Sequence, residues 1–511
     1  MRIVDTAQLE YTSDLTSNER EWIYNGFDAA VTYEIRDKLL SYLDETTRKT
    51  YDFSLALQAP IMEMSMRGLL VDPDTRMSML IQVKDDIEFL EARLTELLRD
   101  GVGYPAPSPR IWASSHQLKS LFYDVMGIKP ITKRGAKGER VPTVDRGALE
   151  KLSINFLAEP ICKHILVLRD LDKKRQFLET GIDPDGRFRF GFNIAGTNSG
   201  RLSSFESELG SGSNSQNVGR SLRKIFVADP GMKFANLDLE QADSRNVGAI
   251  CWNIFHDLLD DRAGAYLDAC ESGDLHTTVC RMANPQLEWG SDPAGWRAVA
   301  DQIAYRADSY RDLAKKLGHG TNYYGQPFTM AQHSKVPVKQ VEAFQRSYFS
   351  GFPEIVHYHA YVKNELIENS AITTLFGRRR FFFGRPRDDA TIREAIAYSP
   401  QSMTAEEINR GMMELWRGSN RVQLLTQVHD SILFQFPEGE EDEIIPWALA
   451  KLKIVLKLAH GRTFHVPVEA KTGWNWGDWE KTGGNPDGLI KWKGHDSRKR
   501  LRLPRKPFRL F

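Results

Sequence analysis

Three short stretches of this chain carry side chains that could act together on a phosphate ester. In Lys233-Phe234-Ala235-Asn236-Leu237-Asp238-Leu239-Glu240-Gln241-Ala242-Asp243-Ser244-Arg245, an acid stands where an apolar run gives way to helical spacing. Phe234–Leu239 reads as a short strand, and the run from Gln241 to about Ile254 reads as a helix. Asp238 is therefore expected at the C-terminal end of a strand. That is a rigid base for a metal-binding carboxylate, although a lone Asp before a helix is also an ordinary cap. In the second stretch two apolar runs, Leu424-Leu425-Thr426-Gln427-Val428 and Ile432-Leu433-Phe434-Gln435-Phe436, are joined by His429-Asp430-Ser431. Asp430 is expected at a hairpin tip, a position turns also favour for their own reasons. About 190 residues separate the two acids, so only tertiary folding could bring them together.

The third stretch places Arg311, Lys315, His319 and Tyr323 at four-residue intervals. At ~100° per residue they lie along one slowly winding helix face. Two cations, an imidazole and a phenol on one stripe could hold a triphosphate and stack on a base or sugar, where the plain alternative is a solvated basic face.

The elements that must position these groups differ in texture along the chain. The first fifty or so residues read as short helices, with Glu19–Leu43 the clearest amphipathic run. Tyr51 to about Asp172 is strongly helical, broken at Asp100–Arg110 and at a flexible basic stretch, Lys133–Arg140. From about Gly181 to Glu240 the pattern turns β-like, after a turn at Asp183-Pro184-Asp185-Gly186, and Ser203–Ser215 reads as a surface loop. Cys251–Gln401 is mostly helical, Val422–Pro437 reads as a hairpin and Asp442–Leu458 as an amphipathic helix. Lys491–Phe511 carries nine Lys/Arg and one acid without any period, and is expected as a basic tail.

Composition narrows the classes. At 511 residues, 41% hydrophobic and 10% aromatic, the chain can build several cores, which excludes a wholly disordered or collagen-like protein. No stretch approaches ~18 uncharged apolar residues, so no membrane helix is expected, and the N-terminus lacks the marks of a signal or transit peptide. Cys162, Cys251, Cys270 and Cys280 form no metal-ligand spacing and are expected as reduced thiols of a cytosolic protein. Lys+Arg and Asp+Glu are 68 each, so any nucleic-acid partner must be held by local patches rather than by net charge.

In this order, the strand Asp, the Arg-x-x-x-Lys helix ending in an aromatic and Gly, and the Val-His-Asp hairpin resemble motifs A, B and C of the DNA polymerase I family, family A. Other stretches are similar to that family too: Thr197-Asn198-Ser199-Gly200-Arg201-Leu202-Ser203-Ser204, Ser215-Gln216-Asn217-Val218, Asp274-Leu275-His276-Thr277, Ser114-Ser115-His116-Gln117-Leu118, and Arg393 through Pro400-Gln401-Ser402 and Thr404-Ala405. The resemblance runs from about residue 20 to about residue 480. It implies an α+β right-hand polymerase: thumb with a palm-base helix 57–180, palm with an antiparallel sheet 181–257 and 385–487, mostly helical fingers 258–384, an exonuclease-domain remnant 1–56 and a basic tail 488–511.

The resemblance also implies residue roles in a template-directed DNA polymerase. Asp238 and Asp430 would bridge two Mg²⁺ ions, with the Leu239 carbonyl completing one site; such pairs sit roughly 3.5–4 Å apart and clamp attacking and leaving oxygens. Arg311 and Lys315 would grip the triphosphate, His276 would add a phosphate contact, and Lys315 would protonate the leaving pyrophosphate. His319, Tyr323, Gln241 and Asp243 would line the dNTP pocket. Arg201 and Gln401 would read minor-groove acceptors, and Gln216, Asn217, Arg393 and His429 would contact DNA. The implied partners are primer-template DNA and dNTPs, with a separate exonuclease subunit, helicase or clamp as further candidates. A monomer in the cytoplasm, the host's if the chain is viral, is expected. Competing readings are a catalytically silent DNA-binding accessory subunit and a single-subunit RNA polymerase.

Several positions depart from the family. Asp243 stands where Glu is usual, which predicts weaker rejection of ribonucleotides. His319 replaces a Phe or Tyr, Ser431 replaces an acid, and Tyr324 replaces a Gly. Tyr24-Asn25-Gly26-Phe27-Asp28 resembles the third exonuclease motif, but Asp5 is followed by Thr6-Ala7 rather than by an acidic partner. A phage-type enzyme that does not proofread alone is therefore expected. The terminal Lys506-Pro507-Phe508-Arg509-Leu510-Phe511 resembles, without the usual Gln, peptides that dock on sliding clamps.

Overall fold

The computed structural model describes residues 15–104, 107–135, 137–207, 212–305, 307–480, 482, 484–495 and 498. Asp5 and nearly all of the terminal basic stretch, including the clamp-like peptide, lie outside the described residues. Two compact units emerge: one formed by Met1–Gln58 and Asn246–Met403, the other by Ala59–Arg245 and Thr404–Phe511. Among the described residues no helix is long and apolar enough to cross a membrane.

The second unit is built on a five-stranded antiparallel sheet. Its strands run in the order Gln423–Val428, Ser431–Pro437, Met232–Leu239, Val468–Gly473 and Ile490–Lys491. Met232–Leu239 is central, flanked on both sides. It buries Phe234, Ala235, Leu237 and Leu239, while Ile432, Phe434 and Phe436 are buried on the neighbouring strand. Each such side chain contributes about 1.5–3 kcal/mol of hydrophobic stabilisation, so the register is strongly held. The buried Lys233 ammonium lies 2.7 Å from Glu441 and 4.3 Å from the centre of the Trp474 ring, so its charge is compensated.

In the same unit the helices Pro73–Glu96 and Glu159–Glu179 pack together. They enclose a core of Leu94, Leu98, Leu118, Phe122, Leu149, Ile165 and Leu168. The basic interruption expected to be flexible is instead a hairpin, Thr132–Arg134 paired with Arg140–Pro142. Ser203–Ser215 is likewise not all loop. Ser203–Glu206 pairs with Phe190–Asn193, and Ser215 is buried because its amide and hydroxyl bond the Ser204 hydroxyl. The helix expected to reach Leu458 ends at Leu452, and Leu456–Lys457 turns back to pair with Thr463–Phe464.

The first unit is mostly helical around an aromatic core that includes Tyr266, Tyr348 and Phe352, with ring centroids 5.0–6.1 Å apart. The helix Tyr310–Asn322 starts at a capping box: the Ser309 hydroxyl accepts from the Asp312 amide, and the Asp312 carboxylate accepts from the Ser309 amide. It packs on Leu275–Ala283 and Val338–Gly351. The run expected as amphipathic near the N-terminus is the helix Ser17–Leu40, and none of its residues is buried. Its large side chains explain why: Trp22, Ile23, Tyr24, Phe27, Tyr33, Ile35 and Leu39 point all round the helix rather than along one face.

All four cysteines are buried free thiols. Burial pushes the Cys162 thiol up to about 12 and Cys280 to about 11, which leaves both inert.

Candidate active site

Backbone pairing brings the two separated acids together. Asp238 is the penultimate residue of its strand and pairs with Ser431 on one side and Glu469 on the other. Asp430 immediately precedes Ser431, and its carbonyl accepts from the Leu239 amide at 3.0 Å. The hairpin tip is a tight two-residue turn between paired Val428 and Ser431. His429 enters it with φ of 58°, an uncommon conformation for a residue with a Cβ. The Ser431 hydroxyl closes the turn by donating to the Val428 carbonyl at 3.0 Å. The serine that replaces the family's acid therefore braces the tip that presents Asp430.

The turn rests on buried polar groups that no spacing rule singled out. The Thr426 hydroxyl bonds Ser215 at 3.1 Å, and Gln427 Nε2 donates to Asn409 Oδ1 at 2.8 Å. Asn409 Nδ2 in turn donates to the Gly200 carbonyl at 3.2 Å. Gln216 belongs to this support. Its Nε2 donates to the Leu202 and Gln427 carbonyls at 3.0 and 3.4 Å, and its Oε1 accepts from the Ser204 amide at 3.2 Å. The structure thus uses the Gln216 amide within the protein, whereas the neighbouring Asn217 is exposed. Such satisfied networks hold one geometry of the tip.

Electrostatics mark the acid pair. Burial pushes the Asp238 carboxyl up to about 7, and the Asp430 charge adds to the shift. Burial also raises the Asp430 carboxyl, with Asp243 adding to it. Neither carboxylate is in an ion pair among the described residues. Two half-buried, mutually repelling acids of this kind fit hard divalent cations, whose charge removes both penalties. Leu239, bonded through its amide to the tip, is the adjacent backbone group. Because a bound cation needs the Asp238 carboxylate ionised, divalent affinity should be full above about pH 7 and fall as protons compete below it. The slope should approach roughly tenfold per unit for one displaced proton. Mn²⁺ titrations between pH 8 and 5.5 measure this, and an affinity flat across that range would contradict it.

Asp243 lies in the first turn of the helix Ala242–Leu259, just after Gln241, whose φ is 55°. Its Oδ1 accepts from Arg201 Nη2 at 3.2 Å and from the Thr404 hydroxyl at 2.8 Å. Arg201 is thereby committed through one nitrogen, while its buried Nε has no partner, as has Gln241 Oε1. Orphaned polar atoms beside an acid pair suit a polar ligand.

The helix Tyr310–Asn322 in the other unit carries the basic stripe. Lys315 and His319 are exposed, Arg311 half-buried, and Tyr323 caps the helix with its ring edge-on to His319 at 4.7 Å. Arg311 is not loose. Its Nε and Nη2 form a fork on Asp274 at 2.9 and 2.8 Å, leaving Nη1 outside the fork. Burial opposes ionisation of Asp274, but Arg311 and Thr277 hold its carboxyl well below the usual range. His276 follows on the same helix N-terminus. Burial, with the charges of Arg311 and Lys315 nearby, lowers its imidazole to about 4. At neutral pH His276 therefore offers an uncharged ring N–H rather than a cation. Tyr324, with φ of 61°, turns away to donor Lys363 at 2.8 Å and to the His359 ring, separating it from Tyr323. On the helix Asp389–Gly418, Arg393 is exposed and Gln401 half-buried.

A paired carboxylate at a strand end and hairpin tip of an antiparallel sheet, in a chain that also carries a basic nucleotide-sized helix stripe, defines the right-hand polymerase fold. The sequence profile of DNA polymerase family A matches residues 75–255 and 296–478, and the chain belongs to that family. Among curated proteins it is similar to a thermostable DNA polymerase I of Thermus filiformis, 27% identical over 460 residues, covering 86% of this chain and 49% of that protein. It is also similar to DNA polymerase I of Deinococcus radiodurans, 28% identical over 477 residues, covering 90% of this chain and 45% of that protein. The chain thus spans about half the length of these relatives. In three dimensions it resembles the POL domain of Pol1 from M. smegmatis, solved in complex with DNA primer-template and dNTP. The TM-score is 0.63 at 23% identity, covering 82% of this chain and 69% of that one, a likeness of fold.

Proposed function

We propose that this chain is a DNA-directed DNA polymerase that adds dNMP units to a primer 3′-hydroxyl. The observation that carries this is the meeting of Asp238 and Asp430 at one sheet edge, joined by the Leu239–Asp430 backbone bond, within a family A chain. Mere duplex binding needs no such acid pair. Asp238, Asp430 and the Leu239 carbonyl would hold two Mg²⁺ ions, which when bound supply Lewis acidity for attack and departure.

The remaining work falls to the chain's own groups. Lys315, exposed on its helix, would hold the triphosphate and give a proton to the departing pyrophosphate oxygen. Arg311, oriented by Asp274, would present Nη1 to a phosphate, and neutral His276 a hydrogen bond. Tyr323 and His319 supply a stacking edge, and Arg201, Gln241, Gln401, Asn217, Arg393 and His429 polar contacts to nucleotide and duplex. In this reading 57–180 is the thumb, 181–257 with 385–487 the palm, and 258–384 the fingers.

The helix Ser17–Leu40 does not by itself add proofreading. Among the described residues Asp28 belongs to no cluster of three metal-ligating side chains. Its apolar side chains, exposed on every side, instead suit a protein partner, a separate exonuclease subunit among the candidates.

Primer extension on a DNA template with Mg²⁺, using dNTPs or rNTPs, tests the proposal. Template-directed extension with dNTPs is expected. Duplex binding without extension would mark a silent accessory subunit, and extension with rNTPs alone an RNA polymerase.

A further inference from the structure

Thr404 stands beside the site without belonging to the acid pair, the basic stripe or any expected contact. It is 1% exposed on the helix Asp389–Gly418, and its hydroxyl donates to Asp243 Oδ1 at 2.8 Å. The same oxygen accepts from Arg201 Nη2 at 3.2 Å, and Oδ2 lies 3.5 Å from that nitrogen. Two donors fill the acceptor capacity of Oδ1. The Asp243 carboxylate is thus held between a hydroxyl and a guanidinium.

We propose that Thr404 is a positioning residue for sugar selection: with Arg201 it holds Asp243 so that the carboxylate cannot turn to accept a hydrogen bond from a nucleotide 2′-hydroxyl. This rests on the polymerase reading above, with Asp243 at the sugar end of the nucleotide pocket. A ribonucleotide brought against a carboxylate oxygen whose acceptor sites are already taken would bury its 2′-hydroxyl without a partner. That is a strong basis for rejection. Asp is one methylene shorter than Glu and reaches less far into a pocket. Holding it firmly is how a short side chain can still act as a barrier. Arg201 alone, at 3.2–3.5 Å, would leave the carboxylate free to swing about the guanidinium. The hydroxyl of Thr404 supplies the second point that removes this freedom.

Single-turnover incorporation of dATP and ATP opposite template T, by wild type, Thr404→Val, Thr404→Ser and Asp243→Ala, tests the proposal. Valine keeps the buried shape and removes the donor. The ratio of kcat/KM for dATP over ATP should fall by about tenfold or more in Thr404→Val, on the scale of one hydrogen bond to a charged group, mainly through improved ATP use. Thr404→Ser should restore the ratio to near the wild-type value, which a purely structural role for the methyl group would not do. Asp243→Ala should lower it at least as far as Thr404→Val. An unchanged ratio in Thr404→Val, or in Asp243→Ala, with wild type extending primers normally, would overturn the role of Thr404 and leave the polymerase reading intact. Absence of any extension by wild type would overturn that reading and this one with it.

Discussion

Replacing Asp430 with asparagine should lower the rate of nucleotide addition by on the order of 10³-fold or more, while the protein folds as before. Asparagine keeps the size of the side chain at the hairpin tip, and the features that hold the tip are elsewhere. The Ser431 hydroxyl closes the turn, and the Leu239 amide bonds the residue 430 backbone rather than its carboxylate. What is lost is one of the two negative charges on which divalent cations would be shared. Burial already makes both carboxylates costly to ionise, and for Asp238 the charge of Asp430 adds to that cost. A carboxyl raised in the folded state contributes its stability below its unfolded value and loses it as pH rises through the folded one, here about 7 for Asp238. In metal-free buffer above pH 7, Asp430→Asn should therefore melt no lower than wild type. Stopped-flow primer extension together with thermal melts checks both halves. A variant that is inactive only because it unfolds would count against the electrostatic explanation.

Lys315→Ala should cost about 10²–10⁴-fold in kcat, the range for a lost general acid, and should leave primer-template binding largely intact. Lys315 is exposed on the helix Tyr310–Asn322, makes no ion pair among the described residues, and lies on the stripe that begins at Arg311. Its truncation should change stability by no more than about 0.5 kcal/mol, as for exposed residues generally. Lys315→Arg keeps the charge but not the proton affinity, so it should retain triphosphate binding and lose most of the chemical rate. Rapid-quench kinetics separate the two effects. Equal loss of binding and rate in both variants would assign Lys315 to phosphate grip alone.

Much of this was legible in the residues themselves because it is local. The helix Tyr310–Asn322 announces itself through Ser309 and Asp312 at its start and four-residue spacing along its face. The strand Met232–Leu239 and the hairpin around Asp430 follow from apolar runs and turn residues. That Asp238 faces Ser431 is a matter of register between segments about 190 residues apart, which composition and period do not encode. Only the order of motifs suggested it. The supports were illegible for the same reason. Gln216, Asn409 and Thr426 look like surface polar residues in sequence and become partners only after folding. Asp274 reads as a helix cap, which it is, but its fork on Arg311 depends on two helices packing. The helix Ser17–Leu40 misled the periodicity reading because apolar residues at helical spacing need not share a face that anything covers.

The central claim is that Asp238 and Asp430 together hold the divalent cations used in nucleotide addition. Electron paramagnetic resonance of Mn²⁺ bound to the protein, with dideoxy-terminated primer-template and the next dNTP, tests it directly. The account predicts two strongly bound Mn²⁺ per chain, magnetically coupled, both lost or weakened in Asp238→Asn and Asp430→Asn. Mn²⁺ binding that is unchanged by either substitution would contradict it.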